Sequence, residues 1–214
     1  MSKFKLVIFD MDGTLIAGRT VFIFAEHKGF EDELLRIING NKEFHEKSIE
    51  IAKLLKGMNV RELLEIFRNI PLQVHVENVI REIMKGGIKT AIVTDSYQFV
   101  ADDLRERLDI DYAFANNLII EKDIVTGELI VNNKDLKKRF NDCTIHSICK
   151  DRVLKRLCKK LGISESEVIA VGDGAVDICM IKSAGLGIAF NAPKEVQKHA
   201  DISTSDMSVI LDYI

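Results

Sequence analysis

Asp10 and Asp12 stand two residues apart in Asp10-Met11-Asp12-Gly13-Thr14, and Asp173 and Asp177 share Gly172-Asp173-Gly174-Ala175-Val176-Asp177. Gathered at one place, four carboxylates repel one another and shift one another's pKa. A hard divalent cation relieves that repulsion, and Mg²⁺ suits a site of few carboxylates, waters and substrate phosphate. Gly13 and Thr14 offer backbone N–H groups that can cradle phosphate oxygens. The spacing of Asp10 and Asp12 suits a division of labour. One carboxylate attacks phosphorus, and the other protonates the leaving oxygen and then activates water. Thr94 stands shortly before a helical stretch, where a helix N-terminus favours anions. Lys150 opens another helix and can add positive charge over the same phosphate. A calcium loop does not fit, because it needs Gly at its sixth position and Glu at its twelfth, whereas Gly13 is fourth and Val21 twelfth.

These residues need strands to position them. Residues 4–9 (FKLVIF) are an apolar run that stops at Asp10, the pattern of a strand buried on both faces. Residues from about 20 to 70 read as helical, with apolar stripes Leu34/Leu35/Ile38, Phe44/Ile51/Leu55 and Leu63/Leu64/Phe67. Phe44 and Ile51 read there as helix-packing core. Helix and strand then alternate. Helix spans 76–85, strand 88–93, helix 97–108, strand 112–115, a hairpin 118–131 turning at Thr126-Gly127, helix 150–161, strand 168–171, helix 175–183, strands 186–190 and 201–203, and a last helix 206–213. Such alternation implies a doubly wound parallel sheet, whose ligands sit at the carboxyl ends of the strands. The residues following Phe9, Val93 and Val171 therefore converge.

The composition supports a globular α/β protein. The chain has 214 residues, 47% apolar and 29% charged, with a net charge of −3. There is no basic excess to suggest nucleic acid as a partner, and no apolar stretch long enough to span a bilayer. Cys143, Cys149, Cys158 and Cys179 form no C-x-x-C pair, so they read as free thiols of a reducing, cytoplasmic compartment rather than as a zinc site. The basic run from Lys134 to Arg139 reads as a solvated loop face. The five histidines are scattered and take no role.

The motifs resemble those of the haloacid dehalogenase-like phosphatase superfamily. Asp10-Met11-Asp12-Gly13-Thr14-Leu15 is similar to its first motif, Thr94 to the second, Lys150 to the third and Gly172–Asp177 to the fourth. The stretches DYAFANNLII and VIAVGDGAVDICMIKSAGLGIAF resemble phosphoserine phosphatases in particular. The resemblance implies a Rossmann-like core, residues 1–15 and 76–214, with a small helical cap, residues 16–75, inserted after the first strand. It implies Asp10 as nucleophile, Asp12 as general acid and base, and Thr94, Lys150 and Gly13 on the phosphate. Mg²⁺ would be held by Asp10, the backbone carbonyl of Asp12, and Asp173, with Asp177 supporting it from behind. The activity implied is hydrolysis of a small phosphate ester through an aspartyl-phosphate.

The chain also departs from that pattern. Phosphoserine phosphatases place a Glu at the cap entry to hold the substrate's amino group, and Arg19 stands there. An Arg of the cap that holds the substrate's carboxylate aligns with Ile51. The Gly pair after the second motif is Asp95-Ser96. The four catalytic motifs survive while the serine-reading positions change, and Arg19 and Asp95 become candidate substrate readers. A phosphotransferase would use the same site. A degenerate binding protein would have no need to keep Asp10, Asp12, Lys150 and Asp173 together.

Overall fold

The structure is a computed structural model that describes residues 2–138 and 144–214; Arg139 and Cys143 lie outside the described residues. Seven strands form one sheet. They are β1 (Leu6–Phe9), β2 (Lys89–Tyr97), β3 (Tyr112–Glu121), β4 (Ile124–Ile130), β5 (Val168–Gly172), β6 (Leu186–Phe190) and β7 (Ile202–Thr204). Their order is β4-β3-β2-β1-β5-β6-β7. All pairs are parallel except β3 with β4. Strand order runs outward in both directions from β1, so the doubly wound expectation holds.

The helices are α1 (Thr20–Lys28), α2 (Glu31–Ile38), α3 (Phe44–Leu54), α4 (Val60–Arg68), α5 (Val76–Lys85), α6 (Gln98–Arg107), α7 (Lys150–Leu161), α8 (Ile178–Ser183) and α9 (Lys194–Gln197). β1 is apolar throughout because both of its faces are covered. Leu6 and Ile8 pack with Val153, Leu154 and Leu157 of α7 and Met180 of α8. Val7 and Phe9 belong to the larger core that includes Val79, Ile80 and Ile83 of α5 and Val100 and Leu104 of α6. The next residue with the parity of Leu6 and Ile8 is Asp10, which carries a carboxylate to the face that α7 covers.

Helices α1–α4 lie between β1 and α5 in the chain, as the helical block at 20–70 anticipates. They are tied to the sheet's antiparallel edge by backbone hydrogen bonds. Gly57 N–H donates to Val125 O (2.8 Å), Val60 N–H to Asp123 O (2.9 Å), and Val125 N–H to Met58 O (2.9 Å). Arg68 of α4 adds an ion pair to Asp103 of α6.

Several sequence expectations are corrected. The hairpin turns at Lys122-Asp123, both at positive φ, and not at Thr126-Gly127. Glu121 pairs with Ile124, so β3 runs unbroken from Tyr112 into the hairpin. Gly127 lies within β4, where a Cβ would sit 3.0 Å from Lys56 Cβ and 3.4 Å from Lys53 Cα. That glycine serves the close approach of the α3 end. β2 continues to Tyr97 rather than ending at Val93, and the C-terminal segment Met207–Tyr213 is a 3₁₀ helix. Phe44 is also corrected. As the first residue of α3 it is exposed and lines a cavity, while Ile51 both packs on the core and lines that cavity. Cys149, Cys158 and Cys179 are free thiols, as expected.

Candidate active site

The register of β1 sets the site. Phe9 stands level with Ile92 of β2 and Val171 of β5, so the polar residues that follow each strand meet at one edge. Asp10 is buried, and both bonds to its carboxylate fall on Oδ1. Met11 N–H donates at 2.7 Å, and Lys150 Nζ lies at 2.6 Å. The other oxygen has no partner among the described residues.

Lys150 opens α7 and is fully buried. Its Nζ also lies 2.6 Å from Asp177 Oδ1. Burial opposes its charge, but Asp10, Asp177 and Asp95 together outweigh that, so the ammonium is held above its usual range. Asp177 Oδ2 accepts from Gly174 N–H (2.9 Å), so both of its oxygens are engaged. Burial first, and Asp10 next, raise its carboxyl to about 7 against the pull of Lys150. Gly172 is the residue Asp177 packs upon, with no room there for a Cβ.

Asp173 stands between Gly172 and Gly174 at the end of β5. It accepts from Thr14 Oγ1 (3.4 Å) and pairs with Arg19 Nη2 (3.0 Å). Burial and the neighbouring Asp10 raise it to about 6, with Arg19 and Lys150 opposing. Its carboxylate lies against Gly13, at φ +84°, where a Cβ would stand 2.5 Å from Asp173 Oδ2. Gly13→Ala is therefore expected to cost roughly 2 kcal/mol of stability from the left-handed backbone alone. It should also displace Asp173, so that activity falls further than stability; chemical denaturation beside a steady-state assay checks both.

Asp12 takes a different environment. Its Oδ1 accepts from Thr20 N–H (3.1 Å) and Thr20 Oγ1 (2.5 Å) at the start of α1. Burial raises its carboxyl to about 7, the Thr20 bonds lower it, and Asp10 raises it again. A carboxyl poised there can give and retake a proton near neutrality. Sequence reasoning missed Thr20. The signal available was its place as the first residue of a helix eight positions after Asp12.

Thr94 is buried in the irregular stretch of β2 between the paired residues Val93 and Tyr97, and its Oγ1 accepts from Ser96 N–H (3.2 Å). Asp95, Ser96 and Tyr97 join Asp12, Arg19, Val21 and Phe22 around a cavity of about 130 Å³. Asn116 Nδ2 fixes that turn by donating to Asp95 O (2.6 Å) and Ser147 Oγ (2.8 Å). A second hollow, of about 390 Å³, adjoins the first through Arg19, Phe22 and Asp95 and reaches Phe44 and His146. His146 carries no role in the sequence reading, yet it lines this hollow, its ring 4.9 Å from that of Phe44.

Asp10, Asp173 and Asp177 present oxygens within 4.8 Å of one another. The donors are hard carboxylates packed at a glycine cradle, which suits a small divalent cation such as Mg²⁺. Among the described residues no helix is long and apolar enough to cross a membrane.

Comparison with known proteins agrees with this geometry. Residues 4–185 match the family model of the haloacid dehalogenase-like hydrolases. A phosphoserine phosphatase of Archaeoglobus fulgidus is 36% identical over 210 residues, covering 96% of this chain and 58% of that protein. One from Methanocaldococcus jannaschii is 33% identical over 218 residues, covering 99% of this chain and 98% of that one. A solved substrate-bound phosphoserine phosphatase superposes with a TM-score of 0.84 at 30% identity over the full length of both chains. The chain thus belongs to the haloacid dehalogenase-like hydrolases, as a phosphatase of the phosphoserine phosphatase-like kind.

Proposed function

We propose that the chain hydrolyses a small phosphate monoester in two steps through a phosphoryl-Asp10 intermediate. The observation that carries this reading is the contrast between two neighbouring carboxyls. Asp10 has one oxygen fixed by Met11 N–H and Lys150, and the other has no partner among the described residues. Asp12 is held near neutral pKa beside it. The free oxygen of Asp10 attacks phosphorus as the bond to the leaving alcohol breaks, and Asp12 gives that alcohol its proton. Asp12 then takes a proton from water, water attacks phosphorus, and the bond to Asp10 breaks. Lys150 and Thr94 serve the phosphate oxygens; the Gly13 N–H, expected to join them, already donates to Ile16 O (3.1 Å) and Gly18 O (3.0 Å).

Asp10, Asp173 and the backbone carbonyl of Asp12 would hold Mg²⁺, which supplies neutralising charge to the transferring phosphoryl group. Asp177, with both oxygens already bonded, acts by holding Lys150. Residues 16–75 act as a cap that encloses the leaving group and excludes water. Arg19 and Ile51 on the cavity wall support a substrate other than phosphoserine. Phosphate release from a panel of small esters with Mg²⁺ tests the reading, with Asp10→Asn as the control. Release that persists in that variant would overturn it.

The carboxyl cluster also sets the stability of the metal-free chain. Asp12, Asp173 and Asp177 bind protons more tightly folded than unfolded, since each is raised from 3.8 to about 7, 6 and 7 respectively. Their stabilising share is complete below the unfolded value and is lost as pH rises through the raised ones. With a chelator present, thermal melting is expected to fall from about pH 5 to about pH 8. Mg²⁺ should recover most of the loss at the alkaline end. A chelated protein as stable at the alkaline end as at the acidic end would contradict the cluster's electrostatics.

A further inference from the structure

The larger hollow has a chemical character of its own. Phe22, Ile38, Phe44 and Ile51 supply apolar walls. At about 390 Å³ it falls within the range of roughly 300–1,000 Å³ that encloses ring-sized organic ligands. Phe22 and Phe44 are both more than a third exposed, although large apolar side chains with nothing to cover them usually mark a binding surface. The charged groups on the wall are Arg19, Lys47 and Asp95. Lys47 is already engaged, donating to Ile38 O at 2.7 Å and lying over the Phe44 ring. Arg19 is more than half exposed and makes one bond among the described residues, to Asp173. The rest of its planar donor fork has no partner among the described residues, and such a fork fits a carboxylate in two parallel bonds. Asp95 lies within the field of Lys150 and Arg19, so the net sign of the hollow is positive. His146 Nε2 is buried without a partner, and burial together with Lys150 keeps the ring neutral. The far wall therefore adds no further charge.

We propose that the leaving-group end of this site takes an alkyl phosphate whose alcohol carries both a ring-sized apolar body and a carboxylate. The body lies against Phe22, Ile38, Phe44 and Ile51, and the carboxylate lies on Arg19. An ammonium beside that carboxylate, as in phosphoserine, meets an apolar wall and two cations, Arg19 and Lys47, against the single carboxyl of Asp95. The inference rests on the proposed phosphatase reading, since it places the phosphate at Asp10 and only the alcohol in the hollow.

Four esters of primary alcohols separate the contributions: phosphoserine; 3-phosphonooxypropanoate, which lacks the amino group; 3-phosphonooxy-2-phenylpropanoate, which puts a phenyl ring in its place; and 2-phenylethyl phosphate, which lacks the carboxylate. The readout is kcat/KM for phosphate release with Mg²⁺. The phenylpropanoate is expected to lead phosphoserine by roughly 100-fold and each of the other two by roughly tenfold. Arg19→Gln should cut its lead over 2-phenylethyl phosphate to less than about threefold. Phe44→Ala removes an exposed ring and should cut its lead over 3-phosphonooxypropanoate by a similar factor. Each variant thereby lowers one ratio and leaves the other, which a general loss of folding would not do.

A preference for phosphoserine, or a carboxylate advantage that survives Arg19→Gln, overturns the substrate assignment. Release from phosphoserine or 3-phosphonooxypropanoate that is lost in Asp10→Asn would show that the phosphatase reading outlives that failure. Absence of release from all four esters overturns both.

Discussion

Asp10→Asn is expected to reduce phosphate release from every ester by on the order of 10⁴-fold or more, while leaving the folded state intact. The amide keeps the shape of the carboxylate, and its oxygen can still accept from Met11 N–H at the end of β1. What is lost is the oxygen proposed to attack phosphorus, and no neighbouring carboxylate among the described residues is placed to replace it. Asp12 faces Thr20, Asp173 faces Arg19, and both oxygens of Asp177 are bonded. Replacing Asp10 also removes one of three carboxylates that crowd Lys150, so the metal-free variant should melt no lower than the wild type. Steady-state release and a thermal melt on the same preparation check the two halves. Asp12→Asn should behave differently. It keeps the proposed nucleophile and loses the proposed proton donor, and a loss of roughly 10²–10⁴-fold is expected. That loss should be smaller for esters whose alcohols leave without a proton, such as aryl phosphates.

Lys150→Met should strike both activity and stability. Nζ sits 2.6 Å from Asp10 Oδ1 and 2.6 Å from Asp177 Oδ1, and all three side chains are almost wholly shielded from water. Removing the shared cation leaves two buried carboxylates facing each other, a change that costs about 3–5 kcal/mol when a buried pair is broken from one side. For a chain of this size that lowers melting by roughly 10 °C. The deficit should be smaller at acidic than at alkaline pH. Asp177, already raised to about 7, takes up a proton there and the repulsion lapses. Lys150→Met combined with Asp177→Asn removes the cation together with one anion and should recover most of the stability. It should not recover activity, because the charge over the phosphate is still missing. Recovery of both would reduce Lys150 to a structural counter-ion. A single variant as stable as the wild type at alkaline pH would show that the carboxylates are not repelling one another.

Most of the candidate site residues were legible in the sequence because they follow the end of a short apolar run, as Asp10, Asp12, Thr94 and Asp173 do. The ends of the apolar runs at Phe9, Val93 and Val171 are one-dimensional features, and parallel pairing sets Phe9 level with Ile92 and Val171 with little freedom. Asp10, Asp12, Asp173, Asp177 and Lys150 accordingly appear in the site where spacing placed them. The hairpin was misread for a physical reason. Thr126-Gly127 carries the stronger turn chemistry, but Lys122 and Asp123 accept positive φ, and Gly127 is spent on the contact with α3. A local rule weighs only the turn residues and cannot see a helix arriving from seventy positions earlier in the chain.

The sequence by itself determined the family, the sheet and the carboxylates that gather at its edge, because those depend on strand order and on residues adjacent in the chain. Only the tertiary structure decided what each carboxyl is held by. The Thr20 bonds that tune Asp12 and the Lys150 bridge between Asp10 and Asp177 join residues from separate elements. The hollow bounded by Phe22, Phe44 and His146 is likewise built from three separate stretches of chain. Burial and distance set charge and shape, and neither is a property of any one segment until the helices of residues 20–68 are laid over the ends of the strands.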